Sequence, residues 1–138
     1  MNKKRVALIA HDHKKDELVE WAVYNKFRLA ECELFATGTT GGLLEKALDQ
    51  KVTKLQSGPF GGDQQIGALI TEGKTDVLIF FWDPLHPLPH DQDIKALLRI
   101  AVLWNIPVAC NRTTADYIIS SPLFFGTYER KMPDLKIK

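Results

Sequence analysis

The sequence predicts an α/β fold built around a parallel sheet. Five short apolar runs alternate with segments of helical periodicity, and this alternation is typical of repeated βαβ units. One run, Val77–Trp82, is apolar without alternation, as expected of a strand covered by helices on both faces. We therefore expect it to lie centrally in the sheet. At 138 residues the chain is long enough for one domain with its own core, which we place at residues 1–138.

The remaining elements follow from the same periodicities. The other predicted strands are Val6–Ala10, Glu33–Ala36, Val52–Leu55 and Pro107–Cys110. The clearest helix is Asp91–Leu103, whose apolar stripe consists of Ile94, Leu97, Leu98, Ala101 and Val102. A second helix is predicted over Asp16–Leu29, with Leu18, Trp21, Ala22 and Leu29 facing inward. Shorter helices are predicted at Leu43–Leu48, Gln64–Thr71 and Thr114–Ser120, and the tail, residues 122–138, is left unassigned.

The charge balance excludes some classes of partner. Lys and Arg total 18 against 17 for Asp and Glu, and they are scattered, so we expect no broad basic face for nucleic acid or anionic lipid. Any bound anion must therefore be held locally. The apolar run Val6–Ala10 is too short for a signal-peptide core, and no run approaches a membrane span. Cys32 and Cys110 lack metal-like spacing, which favours reduced thiols in a cytoplasmic protein.

The polar residues are concentrated where a ligand should bind. Ligands of open parallel sheets bind beyond the carboxyl ends of the strands, so the loops after each strand matter most. All five loops are polar and are predicted to open on the same edge of the sheet. They cover residues 11–15, 37–42, 57–63, 83–93 and 111–114.

Two of these loops suit a phosphate group. The loop 37–42 holds Gly38 and three hydroxyls, from Thr37, Thr39 and Thr40, and leads into a helix whose first N–H groups lack partners. Ser57 and Gly58 repeat the arrangement after the next strand, and Lys15 could add a point charge. The alternative is ordinary: Gly and Thr also serve as turn and cap residues, and a single lysine is usually solvated.

Acidic and imidazole groups occupy the other loops. Asp63 opens a helix near Ser57 and is either a functional carboxylate or an N-cap. The pairs His11/His13 and His86/His90 have a spacing that metal ligands can show, but Pro87 and Pro89 forbid the helix that would align the second pair. We therefore expect no metal. His11 and His90 are interpreted as donors to substrate oxygens, and His13 and His86 as solvent-facing.

Several runs of the sequence resemble the methylglyoxal synthases. These runs are Ile9–Asp12, Ala36–Gly41, Gln56–Pro59, Gly61–Gln65, Phe81–Pro84, Pro89–Asp91, Lys95–Arg99 and Asn105–Val108. The likeness covers roughly Val6 to Pro122, and it thins out beyond that point. Gln92 stands where many relatives have proline. Neither departure affects a candidate catalytic group.

The resemblance implies a fold, an assembly and a reaction. The fold is a three-layer α/β/α domain with a five-stranded parallel sheet and flavodoxin-like winding, assembled as a homohexamer. The reaction converts dihydroxyacetone phosphate into methylglyoxal and inorganic phosphate, as a bypass of lower glycolysis, and needs no cofactor or metal. Inorganic phosphate is expected to inhibit it.

The resemblance also assigns roles to residues. Asp63 takes the place of the catalytic base and His90 that of a group bound to the substrate oxygens. Asp12, Asp83 and Asp93 match further acidic residues of the pocket. The implied phosphate contacts are His11, Lys15, Thr37, Gly38, Thr39, Thr40, Ser57 and Gly58.

Two other classes of function share features of this sequence. The same fold serves as the effector domain of carbamoyl phosphate synthetases, where the anion site would bind without turnover. The freestanding chain that keeps Asp63 and His90 favours the enzyme. A phospho-receiver domain would need Asp after the third strand and Lys after the fifth, but Gln56-Ser57 and Asn111-Arg112 stand there. We therefore reject the receiver.

Overall fold

The sheet has five parallel strands, as the sequence predicts. The computed structural model of the protein describes residues 3–86 and 91–134. The strands are β1 Lys4–Ala10, β2 Cys32–Thr37, β3 Val52–Leu55, β4 Val77–Phe81 and β5 Val108–Ala109. Their order is β3-β2-β1-β4-β5, and every adjacent pair is parallel. The chain therefore winds outward from β1 in both directions.

Helices cover both faces of this sheet. They are α1 Lys15–Tyr24, α2 Lys26–Leu29, α3 Gly38–Leu48, α4 Gly62–Thr71, α5 Asp91–Leu103, α6 Arg112–Ser120 and α7 Pro122–Phe125. Short 3₁₀ turns lie at Asp12–Lys14 and Gly58–Phe60. None of the described helices is both long and apolar enough to cross a membrane.

The core consists of two apolar clusters, one on each face of the sheet. Alternate residues of β1 supply both, because successive side chains of a strand point to opposite faces. Val6 and Leu8 pack with residues of α1, α3 and α6, whereas Ala7 and Ile9 pack with residues of α4 and α5. The three-layer α/β/α architecture is thereby confirmed.

Three details of the prediction are wrong. The central strand is β1, and β4 lies between β1 and β5. β4 is buried along its whole length and β1 is buried from Val6 to Ala10, so an apolar run indicates a strand covered on both faces and does not identify the central strand of the sheet. The helix predicted over Asp16–Leu29 is interrupted at Asn25, whose Nδ2 donates to the Trp21 carbonyl over 2.9 Å. Val102 is exposed because it lies about 80° around α5 from Ile94, at the margin of the stripe.

An ion pair joins β1 to the residue before β4 at the opposite edge of the sheet, where the strands begin. The Asp76 carboxylate accepts from the Arg5 main-chain N–H over 2.8 Å and from Arg5 Nε and Nη2 over 3.1 Å each. Burial opposes the negative charge of Asp76, but the hydrogen bonds from Arg5 outweigh it and lower the pKa of this carboxyl.

The described part of the tail contacts the end of α5, since Arg130 Nε donates to the Trp104 carbonyl over 3.1 Å.

Candidate active site

A cavity of about 310 Å³ opens at the carboxyl edge of the sheet, at the lower end of the size range of small-molecule sites. The loops after β1, β2, β3 and β4 all contribute to it. Its lining consists of Ile9, Ala10, His11, Asp12, His13, Lys15, Thr37, Gly38, Thr40, Ser57, Gly58, Pro59, Asp63, Asp83 and His86.

The loop after β5 follows a parallel strand and therefore opens on the same edge of the sheet, as predicted, but it does not line this cavity. β5 is a two-residue edge strand, and the polar residues that follow it bond elsewhere. The Asn111 side chain caps α6 by accepting from the Thr114 N–H over 2.9 Å, and Arg112 Nη1 pairs with Glu20 Oε1 over 3.0 Å. The polar side chains after β5 therefore cap a helix and form a surface ion pair, and they do not contribute to the cavity.

Two glycine-containing loops form one side of the cavity. Gly38 has φ +58°, a left-handed conformation that favours glycine, and a Cβ there would lie 3.2 Å from the Ser57 Cβ. This close approach brings Ser57 and Gly58 beside the first turn of α3, where N–H groups are available. Thr37 and Thr40 line the same space from buried positions, and the buried Thr40 Oγ1 has no hydrogen-bond partner within the described ranges. The cradle can therefore accommodate an anion.

Lys15 reaches this cradle from the first residue of α1. Its Nζ lies 2.8 Å from Asp12 Oδ1 and 2.9 Å from Thr39 Oγ1. The hydrogen bond from Lys15 lowers the pKa of Asp12. Thr39 does not line the cavity, so its hydroxyl orients the lysine in this structure. Asp12 and Thr39 together direct a positive charge to the anion cradle.

Asp63 is buried in the first turn of α4, on the side of the cavity next to Ser57. The N-cap is Gly61, so the capping alternative for Asp63 is wrong. The preceding Gly62 donates its N–H to the Ser57 carbonyl over 2.9 Å, and a Cβ at Gly62 would overlap the Gln56 carbonyl oxygen. Glycine is therefore required to bring α4 this close to the cradle.

A second cavity, of about 260 Å³, lies between α4 and α5 on the other side of Asp63. Asp63 lines both cavities, whereas Asp93 lines only the second. The two carboxylates therefore border a common space behind the main cavity. Asp93 does not reach the anion cradle itself.

Two histidines and Asp83 form the opposite wall. The Asp83 main-chain N–H donates to His11 Nδ1 over 3.0 Å, and Asp83 Oδ2 lies 3.2 Å from His13 Nδ1. Asp83 Oδ1 also accepts from the Leu85 N–H over 3.0 Å, which is the largest cause of the lowered pKa of Asp83. Asp83 thus joins the loops after β1 and β4.

His13 and His86 are exposed, as predicted, but both also line the rim of the cavity, which sequence reasoning missed. Their ring centroids are 5.1 Å apart. The sequence does hold one indication that His13 lies near the cavity, because His13 shares a short loop with His11. His90 lies outside the described residues. Within residues 3–86 and 91–134, no three His, Cys, Asp or Glu side chains are grouped so that they could hold a metal ion.

The arrangement combines an anion cradle with a buried carboxylate and an imidazole. Such a set can hold a small phosphorylated ligand by its phosphate end while the carboxylate removes a proton from the other end. Hydrogen-bond donors such as His11 can stabilise negative charge on the ligand oxygens.

Comparisons with known proteins agree with this chemistry. The family model of the MGS-like domain matches residues 17–110. A methylglyoxal synthase from Pseudoalteromonas atlantica (strain T6c) is 63% identical over 132 residues, covering 95% of this chain and 98% of the relative. One from Saccharophagus degradans (strain 2-40) is 59% identical over 133 residues, covering 96% and 86%. The crystal structure of methylglyoxal synthase from Elizabethkingia anophelis NUHP1 is 48% identical, with a TM-score of 0.91, covering 97% of this chain and 88% of that one.

Proposed function

Because the chain belongs to the methylglyoxal synthase family, we propose that its main cavity converts dihydroxyacetone phosphate into methylglyoxal and inorganic phosphate, with Asp63 as the base. The observation that carries the proposal is the position of this carboxylate. Asp63 is buried in the same cavity as the anion cradle of Gly38, Thr40 and Ser57. A substrate with a phosphate at one end and an acidified C–H at the other fits both features.

The phosphate end of the substrate binds in the cradle. The N–H groups of the first turn of α3, the Thr37 and Thr40 hydroxyls and the Ser57–Gly58 loop supply neutral donors. Lys15 supplies a positive charge, held in place by Thr39 and Asp12.

The chemistry begins with proton removal from the hydroxymethyl carbon beside the ketone. The Asp63 carboxylate takes this proton, and the electron pair of the C–H bond forms an enediolate. His11 and His90 donate hydrogen bonds to the enediolate oxygens and stabilise the charge as it develops. The position of His11 is set by its hydrogen bond from the Asp83 N–H, whereas the role of His90 rests on the family resemblance.

The C–O bond to the phosphate then breaks, and its electron pair leaves with the phosphate. The resulting enol gains a proton at its terminal carbon and becomes methylglyoxal. The breaking bond must stand out of the enediolate plane to overlap its π system, so the cradle determines the outcome by fixing this angle. A cradle that let the bond lie in the plane would favour reprotonation of the enediolate.

Assembly, regulation and location follow from the family resemblance. We propose a homohexamer inhibited by inorganic phosphate, because the free anion competes for the donors that hold the substrate phosphate. A cytoplasmic location suits the two free cysteines, Cys32 and Cys110.

The decisive experiment is a product analysis. Purified protein is incubated with dihydroxyacetone phosphate and excess EDTA, without nucleotide, and the products are separated. Methylglyoxal and phosphate in equal amounts are expected. Glyceraldehyde 3-phosphate would mean that the cavity reprotonates the enediolate, and binding without turnover would indicate an effector-binding module. A requirement for added divalent metal would contradict the metal-free mechanism.

A further inference from the structure

A side chain outside the main cavity joins the anion cradle to the helix that carries Asp63. Gln65 lies in the first turn of α4, two residues beyond Asp63, and its Oε1 accepts from the Gln56 main-chain N–H over 2.7 Å. Gln65 is not part of the cavity lining. Gln56 directly precedes Ser57 and Gly58, so this hydrogen bond holds the main chain at the point where that loop of the cradle begins.

The peptide groups around Gln56 are held from two directions. The Gln56 carbonyl accepts from the Gly38 N–H over 3.3 Å, which ties it to the start of α3. β3 is an edge strand with a partner on one side only, β2, so the Gln56 N–H is bonded by a side chain of α4 and not by a further strand. One residue thereby connects both halves of the cradle to the helix of the base.

Elimination depends on the relative placement of these same two parts. The cradle sets the direction of the C–O bond that must break, and Asp63 sets the face of the substrate from which the proton leaves. We propose that Gln65 is a positioning residue that holds the cradle and Asp63 in register, so that the enediolate eliminates phosphate before it can be reprotonated. The proposal rests on the function proposed above and assigns no contact between Gln65 and the substrate.

The test measures a ratio that does not depend on how much protein is folded. In D₂O, each enediolate either yields methylglyoxal or takes up deuterium and returns to substrate. The ratio of deuterium in recovered substrate to methylglyoxal formed therefore reports the partition of the intermediate. A purely structural role for Gln65 would change the melting temperature and leave this ratio unchanged.

Gln65→Leu keeps the approximate size of the side chain and removes the acceptor. We expect the exchange-to-elimination ratio to rise about tenfold and kcat to fall about tenfold with a smaller change in KM, since a displacement of about 1 Å can cost about 10²-fold. Gln65→Asn, which is polar but one methylene too short, should act in the same direction. Thr53→Val is the control, because Thr53 is exposed on β3, the strand that leads to Gln56, and lines neither cavity beside Asp63, so the wild-type ratio is expected.

Gln65→Glu retains an acceptor for the Gln56 N–H. Its ratio should stay within about twofold of wild type, although its charge near the cradle should raise KM for an anionic substrate. An unchanged ratio in Gln65→Leu and Gln65→Asn, or an equal rise in Gln65→Glu, would overturn the positioning role while leaving the proposed function intact. Failure of the wild type to form methylglyoxal would instead overturn the proposed function, and this inference with it.

Discussion

The main-chain N–H of Asp83 donates a hydrogen bond to Nδ1 of His11 over 3.0 Å. A ring nitrogen that accepts a hydrogen bond carries no hydrogen, so this contact assigns His11 as a neutral imidazole with its hydrogen on Nε2. The loop after β4 thus determines which ring nitrogen of a β1 residue can donate. In the proposed mechanism, a neutral imidazole stabilises the enediolate by donating a hydrogen bond and leaves the removal of the proton to Asp63.

Replacements that mimic one ring nitrogen at a time should distinguish the contribution of His11 Nε2 from that of His11 Nδ1. His11→Gln places an amide N–H near the position of Nε2, and His11→Asn places a carbonyl oxygen near that of Nδ1. We expect His11→Gln to keep about tenfold more kcat/KM, and His11→Asn to keep a melting temperature nearer to wild type. Equal kcat/KM for the two variants would show that donation from Nε2 is unimportant.

Asp63→Asn should abolish the first chemical step while preserving the shape of the site. The amide cannot take a proton, so kcat should fall at least about 10²-fold, the usual minimum for a general base. Phosphate binding, followed by calorimetry, should remain. The variant should not exchange the substrate proton with D₂O, because the enediolate never forms. Exchange at the wild-type rate would assign the base to Asp12, Asp83 or Asp93.

Two glycine-to-alanine replacements should have opposite effects. A Cβ at Gly62 would overlap the Gln56 carbonyl, so Gly62→Ala should displace the start of α4, costing about 1 to 3 kcal/mol in the free energy of unfolding and lowering kcat. A Cβ at Gly42 in α3 meets nothing within 4 Å, so Gly42→Ala should stabilise by about 0.4 to 1 kcal/mol. Urea unfolding measures both. A stable, active Gly62→Ala enzyme would contradict the close packing described here.

The Arg5–Asp76 pair should make part of the stability depend on pH. The folded-state pKa of Asp76 is below its unfolded value of about 3.9, so the contribution is fully present above that pH and disappears as pH falls through the folded pKa. Asp76→Asn should therefore lose about 1 to 2 kcal/mol at pH 7, a difference that shrinks below about pH 4. Urea unfolding at several pH values tests this, and a constant difference down to pH 2 would refute it.

Inorganic phosphate should inhibit by occupying the cradle. Thr40→Val removes a buried hydroxyl while nearly keeping the volume, so KM and the inhibition constant for phosphate should rise together, each about three- to tenfold. Thr53→Val, at an exposed position of β3, is the control and should change neither constant. In a hexamer, coupling between sites should also make substrate curves sigmoidal as phosphate is added. Hyperbolic kinetics indifferent to millimolar phosphate would contradict the cradle.

The sequence predicted what depends on local pattern. The strand runs and the start and end of α5 follow from periodicity, and the glycine loops were identified because Gly38 and Ser57 follow strand ends. Helices α3, α4 and α6 begin two to five residues earlier than predicted. Apart from Arg112, the residues that were missed are Gly, Thr and Asp, whose helical propensity is weak, so tertiary contacts determine where these helices begin. The hydrogen bond from Gln56 to Gln65 and the bond from Asp83 to His11 depend on three-dimensional proximity, which periodicity does not encode.

The burial of the cysteines has a consequence for an enzyme that makes an electrophile. Methylglyoxal is an electrophilic dicarbonyl that thiolates attack, and a thiol must lose its proton before it reacts. Burial raises the pKa of Cys32 to about 11 and also raises that of Cys110. At pH 7 only about one Cys32 in 10⁴ is therefore ionised, and that thiolate is shielded by the core. The packing of β2 against its helices thereby protects the Cys32 thiol from the dicarbonyl product.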